Sequence, residues 1–405
     1  MRRRAVPVWA SLLALALGGF GIGTTEFASM GVLPDIAGDL GVSIPTAGHA
    51  ITAYALGVVV GAPLFAVLGA RLPRKGLLLV LMAAIGLGNL LSAAAPSFGL
   101  LVVARFLSGL PHGAYFGIAA VVASALVAPS RRARAVATTM TGLTVANVVG
   151  VPLTTLLGQA MGWRSTYVAV VAIALLTLVA VEGLVPRVAA GHGASPRREL
   201  TALRRPLVWL TLGVGAIGFG GFFAVYTYIA PMLTEVAGYR EAGIPIVIAL
   251  LGAGMTVGTV VGGHLADRAL LRTLVLSLVA TTVVLLAFTL TARGVVTVAV
   301  TVFLLGLVSS TGLPALTTRL LDVAGDGKAL AATLNHSALN VSNALGAWLG
   351  GVVIAAGLGY TAPAVVGAVL AVLGLVVLGA SVVVERRGST RADIPPTSPL
   401  ARQAA

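Results

Sequence analysis

Two ionisable residues stand in stretches too apolar to hold a charge by default. Glu26 lies in Gly21-Ile-Gly-Thr-Thr-Glu-Phe27, within an apolar run that opens near Pro7, and it is the only formal charge from Ala10 to Met30. A run of that length can cross a bilayer. An ionised carboxylate near a membrane centre costs roughly 2.5 kcal/mol or more. Keeping a glutamate of ordinary pKa protonated at pH 7 costs about 3.7 kcal/mol. The two costs are comparable, so a modest change of surroundings decides whether Glu26 holds its proton, which is the property a proton-coupling residue needs. The second residue is Arg105, in Arg105-Phe-Leu-Ser-Gly-Leu-Pro-His-Gly-Ala114. An arginine keeps its charge, so within an apolar helix it needs a partner or water. Counting along the two spans puts Glu26 ~9 Å and Arg105 ~12 Å from mid-membrane, toward the same face. The expectation is a proton-responsive pair, Glu26 with Arg105; a static ion pair, or a carboxylate in a wet vestibule, is the plainer alternative.

Other residues line up behind this pair. His112 and His336 can bind substrate or protons, although an interior histidine is more often a hydrogen-bonded structural group. Asn147 and Asn343 are read first as interhelical hydrogen bonders and second as substrate contacts. Phe222, Phe223 and Tyr226 can form an aromatic wall, because positions 222 and 226 are one helical turn apart. The set His112, Phe222, Phe223, Tyr226 and Asn343 is therefore the candidate substrate cavity. Asp35 and Asp39 follow Pro34 outside the first span, where solvation is the simplest account of them.

The elements that must position these residues are membrane helices. The chain has 405 residues, 58% hydrophobic and 9% charged, against about 25% charged in soluble domains. A net charge of +14 raises the question of nucleic acid, but the basic residues lie in short clusters between apolar runs with no aromatic-interleaved basic face. Cysteine is absent, which excludes disulfides and thiolate metal sites. Breaks at charged or Pro/Gly-containing loops divide the chain into twelve apolar segments. If both termini share one side, that side receives all but Arg105, Arg164, Arg240 and Arg293 of the 26 Lys and Arg residues, so the positive-inside rule makes both termini cytoplasmic. The fold class is an all-α membrane protein of twelve transmembrane helices in two pseudo-symmetric six-helix bundles. The expected divisions are a first bundle over 1–186, a cytoplasmic linker over 187–206, a second bundle over 207–387 and a disordered tail over 388–405. The two halves repeat: Pro34 and Pro231, Gly57 and Gly254, Gly61 and Gly258, Arg71 and Arg268, and Gly109 and Gly306 are each 197 apart. Val145 and Val341, Asn147 and Asn343, and Gly150 and Gly346 follow at 196. Repeated bundles around a central pathway suit an alternating-access carrier.

Two loops and one span carry a family resemblance. Gly263-His-Leu-Ala-Asp-Arg-Ala-Leu-Leu-Arg272 resembles the G-x-L-A-D-R-x-G-R-K signature of the major facilitator superfamily. Its counterpart Ala66-Val-Leu-Gly-Ala-Arg-Leu-Pro-Arg-Lys75 keeps Arg71, Arg74 and Lys75, but has Ala70 in place of the acid. The resemblance implies a cytoplasmic gate built on Arg71, Arg74, Lys75, Asp267 and Arg268, with membrane anchoring as the plainer role. Asn147, Gly150 and Pro152, in Val145-Ala-Asn-Val-Val-Gly-Val-Pro152, loosely resemble the antiporter motif of the twelve-span drug:proton antiporters. With Gly23-Thr-Thr-Glu-Phe27 and Gly162-Trp-Arg164, they are most similar to arabinose-type sugar exporters and chloramphenicol exporters. The implied function is proton-driven efflux of a small molecule, a drug or a sugar, by a monomer in the bacterial plasma membrane. A proton-coupled uptake symporter on the same fold is the alternative. An intramembrane enzyme has no support: there is no H-E-x-x-H, no G-x-S-x-G and no Walker-type loop, and no metal or other cofactor is expected.

Overall fold

The computed structural model describes residues 7–68, 72–187, 200–325 and 327–392, and among them every regular element is helical. With no water in a bilayer core to hydrogen-bond the main chain, a helix that satisfies its own backbone is what such apolar runs must form. The first six spans are α1 (Val8–Gly31), α2 (Ile44–Leu68), α3 (Arg74–Ala94), α4 (Phe98–Ala125), α5 (Pro129–Met161) and α6 (Arg164–Leu184). α4 is interrupted at residues 110–111, where Pro111 supplies no N–H donor. α5 widens into a π turn over Ala146–Gly150 just before Pro152, and α7 (Pro206–Thr227) does the same over Val214–Gly218.

The next helical stretch, Ile244–Thr291, has 48 residues. As one straight helix it would measure ~72 Å, more than twice the ~30 Å hydrocarbon core. Ala269, with φ −157° and ψ 77°, breaks it into α8 (244–268) and α9 (270–291). The two limbs run in opposite directions along one neighbour, α10 (Val295–Val323). Gly254, Gly258 and Gly262 of α8 meet Phe303, Leu307 and Thr311 in rising order. On α9, Ser277 donates to the Val308 carbonyl while Thr291 accepts from Thr301, in falling order. They are thus two spans folded back on each other, and with α11 (Lys328–Ala355) and α12 (Ala362–Ala392) the described residues form twelve spans. Of the expected linker, residues 188–199 lie outside the described residues, and Leu200–Arg204 forms a 3-10 turn leading into α7. α12 continues to Ala392, beyond the expected end of the second bundle at 387, and the rest of the expected tail, 393–405, lies outside the described residues.

The repeat read from the sequence is a repeat of contacts. A Cβ on Gly57 would run into the Phe106 carbonyl, and one on Gly254 into the Phe303 carbonyl. Gly61 and Gly258 abut the Leu110 and Leu307 carbonyls in the same way, and Gly109 and Gly306 abut those of Tyr54 and Leu251. Every one of these partners is itself 197 residues from its counterpart. Small residues let α2 approach α4, and α8 approach α10, main chain to main chain.

Outward faces are apolar: Leu175, Leu176 and Val179 of α6 and Leu290 and Val296 near the α9–α10 turn are exposed, as lipid contact requires. Inside, a single apolar cluster spans both bundles in the half of the molecule away from the termini; Phe27, Ile36 and Trp163 share it with Tyr226, Ile229 and Leu251. In the half that carries the termini the cores are separate, one around Leu78, Met82 and Phe116, others around Val208 and Leu278. Apolar packing is thus continuous across the bundles at one end and divides into separate cores toward the other.

Leucine at Gly258 should force α8 from α10 against the Leu307 carbonyl, a clash worth about 3 kcal/mol or more. The expected outcome is a lower thermal midpoint and less monodisperse protein in detergent, matched by Gly61→Leu in the first bundle.

Candidate functional site

The site begins with Arg105, which is fully buried. Its Nη1 donates to Thr25 Oγ1 at 3.0 Å and its Nη2 to the Thr25 carbonyl oxygen at 2.9 Å. The Thr25 hydroxyl in turn donates to Asn89 Oδ1 at 2.6 Å, and the Asn89 amide donates to the Ile85 carbonyl at 2.8 Å and to Ser108 Oγ at 3.3 Å. Two rings cover the cation, with Cζ 4.3 Å from the Tyr54 centroid and 5.4 Å from that of Tyr167. Those rings are held as well: Tyr54 OH meets His112 Nδ1 at 3.0 Å, and Tyr167 OH meets Ser29 Oγ at 2.9 Å. Side chains from α1, α2, α3, α4 and α6 thus hold one guanidinium, replacing its hydration with charge-assisted hydrogen bonds and cation–π contact.

Glu26 follows Thr25 and points elsewhere. Successive helical residues are turned about 100° apart, so Thr25 facing Arg105 leaves Glu26 facing the second bundle. It is 6% exposed, with Arg105 and Tyr54 near it on its own bundle and Asn343 and Tyr226 across the interface. The expected direct ion pair is not formed. Among the described residues, ion pairs within 4.0 Å join Lys75 to Glu182, Arg164 to Asp39 and Arg319 to Glu385. The physical reason is Thr25, whose carbonyl and hydroxyl already serve both terminal guanidinium nitrogens.

The aromatic residues do come together, around a residue that sequence reasoning passed over. Phe27 stacks on Tyr226 at 5.4 Å and on Phe223 at 6.4 Å, and Phe222 packs edge-on against both of those rings. Phe222 and Tyr226 are buried, so in this conformation they form a seam between the bundles rather than an open wall. On the other side of Glu26 lies a second contact layer: His112 is 6.3 Å from His336 between ring centroids, and Phe116 stacks on His336 at 5.5 Å. Both histidines are therefore at the interface, one from each bundle.

The asparagines divide. Asn147 donates to the Leu143 carbonyl one turn back on its own helix, leaving Oδ1 without a partner, so it is not an interhelical hydrogen bonder. Asn343 of α11 meets the Glu26 carboxyl of α1 across the seam, an amide–carboxyl contact between helices. Gly150 packs on Thr24 and Phe20 of α1, and Pro152 closes the π turn.

Among the described gate residues, the ion pair that forms lies within one bundle. Arg71 lies outside the described residues. Arg74 is half-buried at the first position of α3, and Lys75 pairs with Glu182 of α6 at 3.2 Å within the first bundle. Asp267 and Arg268 are exposed at the α8–α9 break, in none of the ion pairs among the described residues. In the second bundle, Arg319 holds Glu385 at 3.1 Å and Ser381 at 2.9 Å, bracing α10 to α12. At this end Lys75–Glu182 and Arg319–Glu385 each brace a bundle internally.

At the closed end, Asp39 accepts from Arg164 and from Trp163 Nε1, which hold its carboxyl below the usual aspartate range. Asp35 is pushed the other way, by burial first and then by Glu241 of the second bundle.

A helical membrane protein of two repeated bundles, with a buried acid and a buried cation where they meet, has the construction of a secondary transporter. The comparisons agree: the family model of the Major Facilitator Superfamily matches residues 15–326. The chain belongs to that superfamily. It is 42% identical over 367 residues to the inner membrane transport protein YdhP of Escherichia coli (strain K12), covering 91% of this chain and 94% of that one. It is 36% identical over 360 residues to a chloramphenicol resistance protein of Streptomyces lividans, covering 88% and 90%. It is 35% identical over 365 residues to the putative transporter AraJ of Escherichia coli (strain K12), covering 89% and 91%. Among solved structures, a bacterial homolog of the human lysosomal transporter Spinster, inward-facing and unoccupied, superposes with a TM-score of 0.69 at 18% identity over 92% of this chain and 95% of that one.

Thr25, Tyr54, Asn89 and Phe27 are the residues that sequence reasoning missed. A threonine and an asparagine inside apolar spans were the available signal, since a polar side chain there needs a partner.

Thr25→Val removes the hydroxyl that links Arg105 to Asn89 and should lower stability by about 2 kcal/mol, read as a drop in thermal midpoint that Thr25→Ser does not show. At the closed end, a raised Asp35 pKa means that the closed form binds the extra proton, so closure is favoured as pH falls toward the ordinary value of 3.8. A single cysteine placed there in this cysteine-free chain should become less accessible at mildly acidic pH, and Asp35→Asn should flatten that dependence.

Proposed function

We propose that this transporter exports a small molecule in exchange for protons moving inward, with Glu26 as the group that carries the proton. The observation that carries the reading is the position of Glu26: a buried acid on the seam between the bundles, next in sequence to the residue that holds Arg105. With both terminal Arg105 nitrogens engaged by Thr25, an ionised Glu26 on the closed seam has no cation within ion-pair distance, whereas a protonated one can be buried there at far lower cost. When the bundles part around it, water and the nearby guanidinium favour the ionised form. The protonation state is thereby tied to which end of the molecule is open.

The strong excess of basic residues on the side of the termini supports a cytoplasmic location for both ends. The end where the apolar cores are separate is then the cytoplasmic one, the side from which an exporter loads its cargo. The similarity to a chloramphenicol resistance protein supports the outward direction and a neutral, drug-sized cargo. All the residues of the proposed site belong to one chain, so a monomer suffices.

In everted vesicles, cargo should evoke proton release from the wild-type protein, and Glu26→Gln should abolish that release while leaving cargo binding largely intact. Undiminished proton flux in Glu26→Gln would remove Glu26 from the role. Accumulation of cargo by intact cells under an inward proton gradient would reverse the assigned direction.

A further inference from the structure

A cavity of about 350 Å³ opens in the second bundle, at the end that carries the termini. Its lining comes from that bundle alone: Arg205, Pro206 and Leu207 where α7 begins, Asp322 and Val323 where α10 ends, and Glu385 of α12. The volume is within the range of small-ligand sites, and the charges are of both signs. Glu385 is held in place by the buried Arg319, which donates to its Oε2 at 3.1 Å. Arg205 donates from Nη1 to the Val323 carbonyl at 3.3 Å and lies against Gly325. Although it shares the cavity with Asp322 and Glu385, it forms no ion pair within 4.0 Å with either among the described residues. Asp322 is exposed and also stands outside those pairs. Opposite charges that share a space without closing on each other leave room for a ligand carrying both signs in reverse order.

The cavity also has a definite level. Trp209, one turn into α7 from Arg205, is 56% exposed, and tryptophan concentrates at the boundary between membrane and water. On α12 the exposed Val383 and Val384 immediately precede Glu385. Both helices thus pass from exposed apolar to charged side chains at the cavity, which puts it level with the lipid headgroups.

We propose that this cavity seats the headgroup of a zwitterionic aminophospholipid, its phosphate on Arg205 and its primary ammonium between Asp322 and Glu385. A guanidinium matches a phosphate in charge and donor geometry. An ammonium has three N–H donors, enough to serve both carboxylates. A choline headgroup keeps the positive charge but has no N–H to donate. A glycerol headgroup has no cation, and its lipid brings a net negative charge toward two carboxylates. Arg204, Arg386 and Arg387 nearby attract anionic lipid to the surface in general; the carboxylates inside the cavity select the ammonium. A lipid so held ties α7 to α10 and α12, whatever the cargo and whatever the direction of transport.

The test is native mass spectrometry of the full-length, delipidated protein in detergent, titrated separately with palmitoyl-oleoyl phosphatidylethanolamine, phosphatidylcholine and phosphatidylglycerol. The first adduct of the ethanolamine lipid should form about ten-fold more tightly than that of either other lipid. Asp322→Asn is the decisive variant, because no ion pair within the fold is lost with it, and it should bring the ethanolamine lipid down to the choline lipid's affinity. Arg205→Gln should weaken the ethanolamine and choline lipids by the same factor, since both present the phosphate. Equal affinity of wild type for those two lipids, tighter binding of the glycerol lipid, a preference that survives Asp322→Asn, or wild-type binding by Arg205→Gln would each overturn the assignment. So would binding of free phosphoethanolamine as tight as that of the lipid, which would make the ligand a soluble one.

Discussion

A guanidinium that cannot give up its proton is buried in the first bundle, and much of the interior is arranged around that fact. Five helices contribute to its enclosure: a threonine hydroxyl and carbonyl from α1, an asparagine from α3, and rings from α2 and α6 around the α4 arginine itself. Removing one partner of such a charge is far more disruptive than the strength of any one bond suggests, because the charge remains. The network also fixes the rotation of α1. With Thr25 turned inward, Glu26 is turned outward to the seam, and the acid and the cation are separated into two tasks. Arg105 organises a bundle, while Glu26 faces the surface along which the bundles move.

That surface is layered. Phe27 and the α7 aromatics close it on one side of Glu26, and His112, Phe116 and His336 meet on the other. Between them lie a carboxyl and an amide, one from each bundle. An apolar seam interrupted by a single polar layer has two stable arrangements, tightly closed or wetted, and few between. One apolar core is shared by both bundles at the end away from the termini, and the cores are separate at the other.

Much of this was legible in the sequence, and for identifiable reasons. Span lengths, basic clusters and the 197-residue offset follow from bilayer thickness and from a duplicated set of backbone contacts, both of which act on residue type directly. Glu26 and Arg105 announced themselves by being charged in apolar helices. Their relation did not, because depth along a helix can be counted from sequence whereas the side on which each residue faces depends on packing. Equal depth suggested a pair; the intervening Thr25 hydroxyl, visible in structure alone, divides it. Of the two asparagines, Asn147 satisfies its amide nitrogen on its own helix while Asn343 meets the Glu26 carboxyl across the seam, a distinction that residue type does not carry. The second copy of the gate signature falls at the α8–α9 turn, where Asp267 and Arg268 are exposed.

The glycine contacts within each bundle bear on how such a molecule can diversify. Where α2 meets α4 and α8 meets α10, main chain lies on main chain, so no rotamer change can absorb a shift and each bundle must travel as a solid piece. The seam between bundles is made of side chains, which can be exchanged without disturbing those joints. Lineages sharing this scaffold are therefore free to replace what they recognise while inheriting, unaltered, the machinery that moves it.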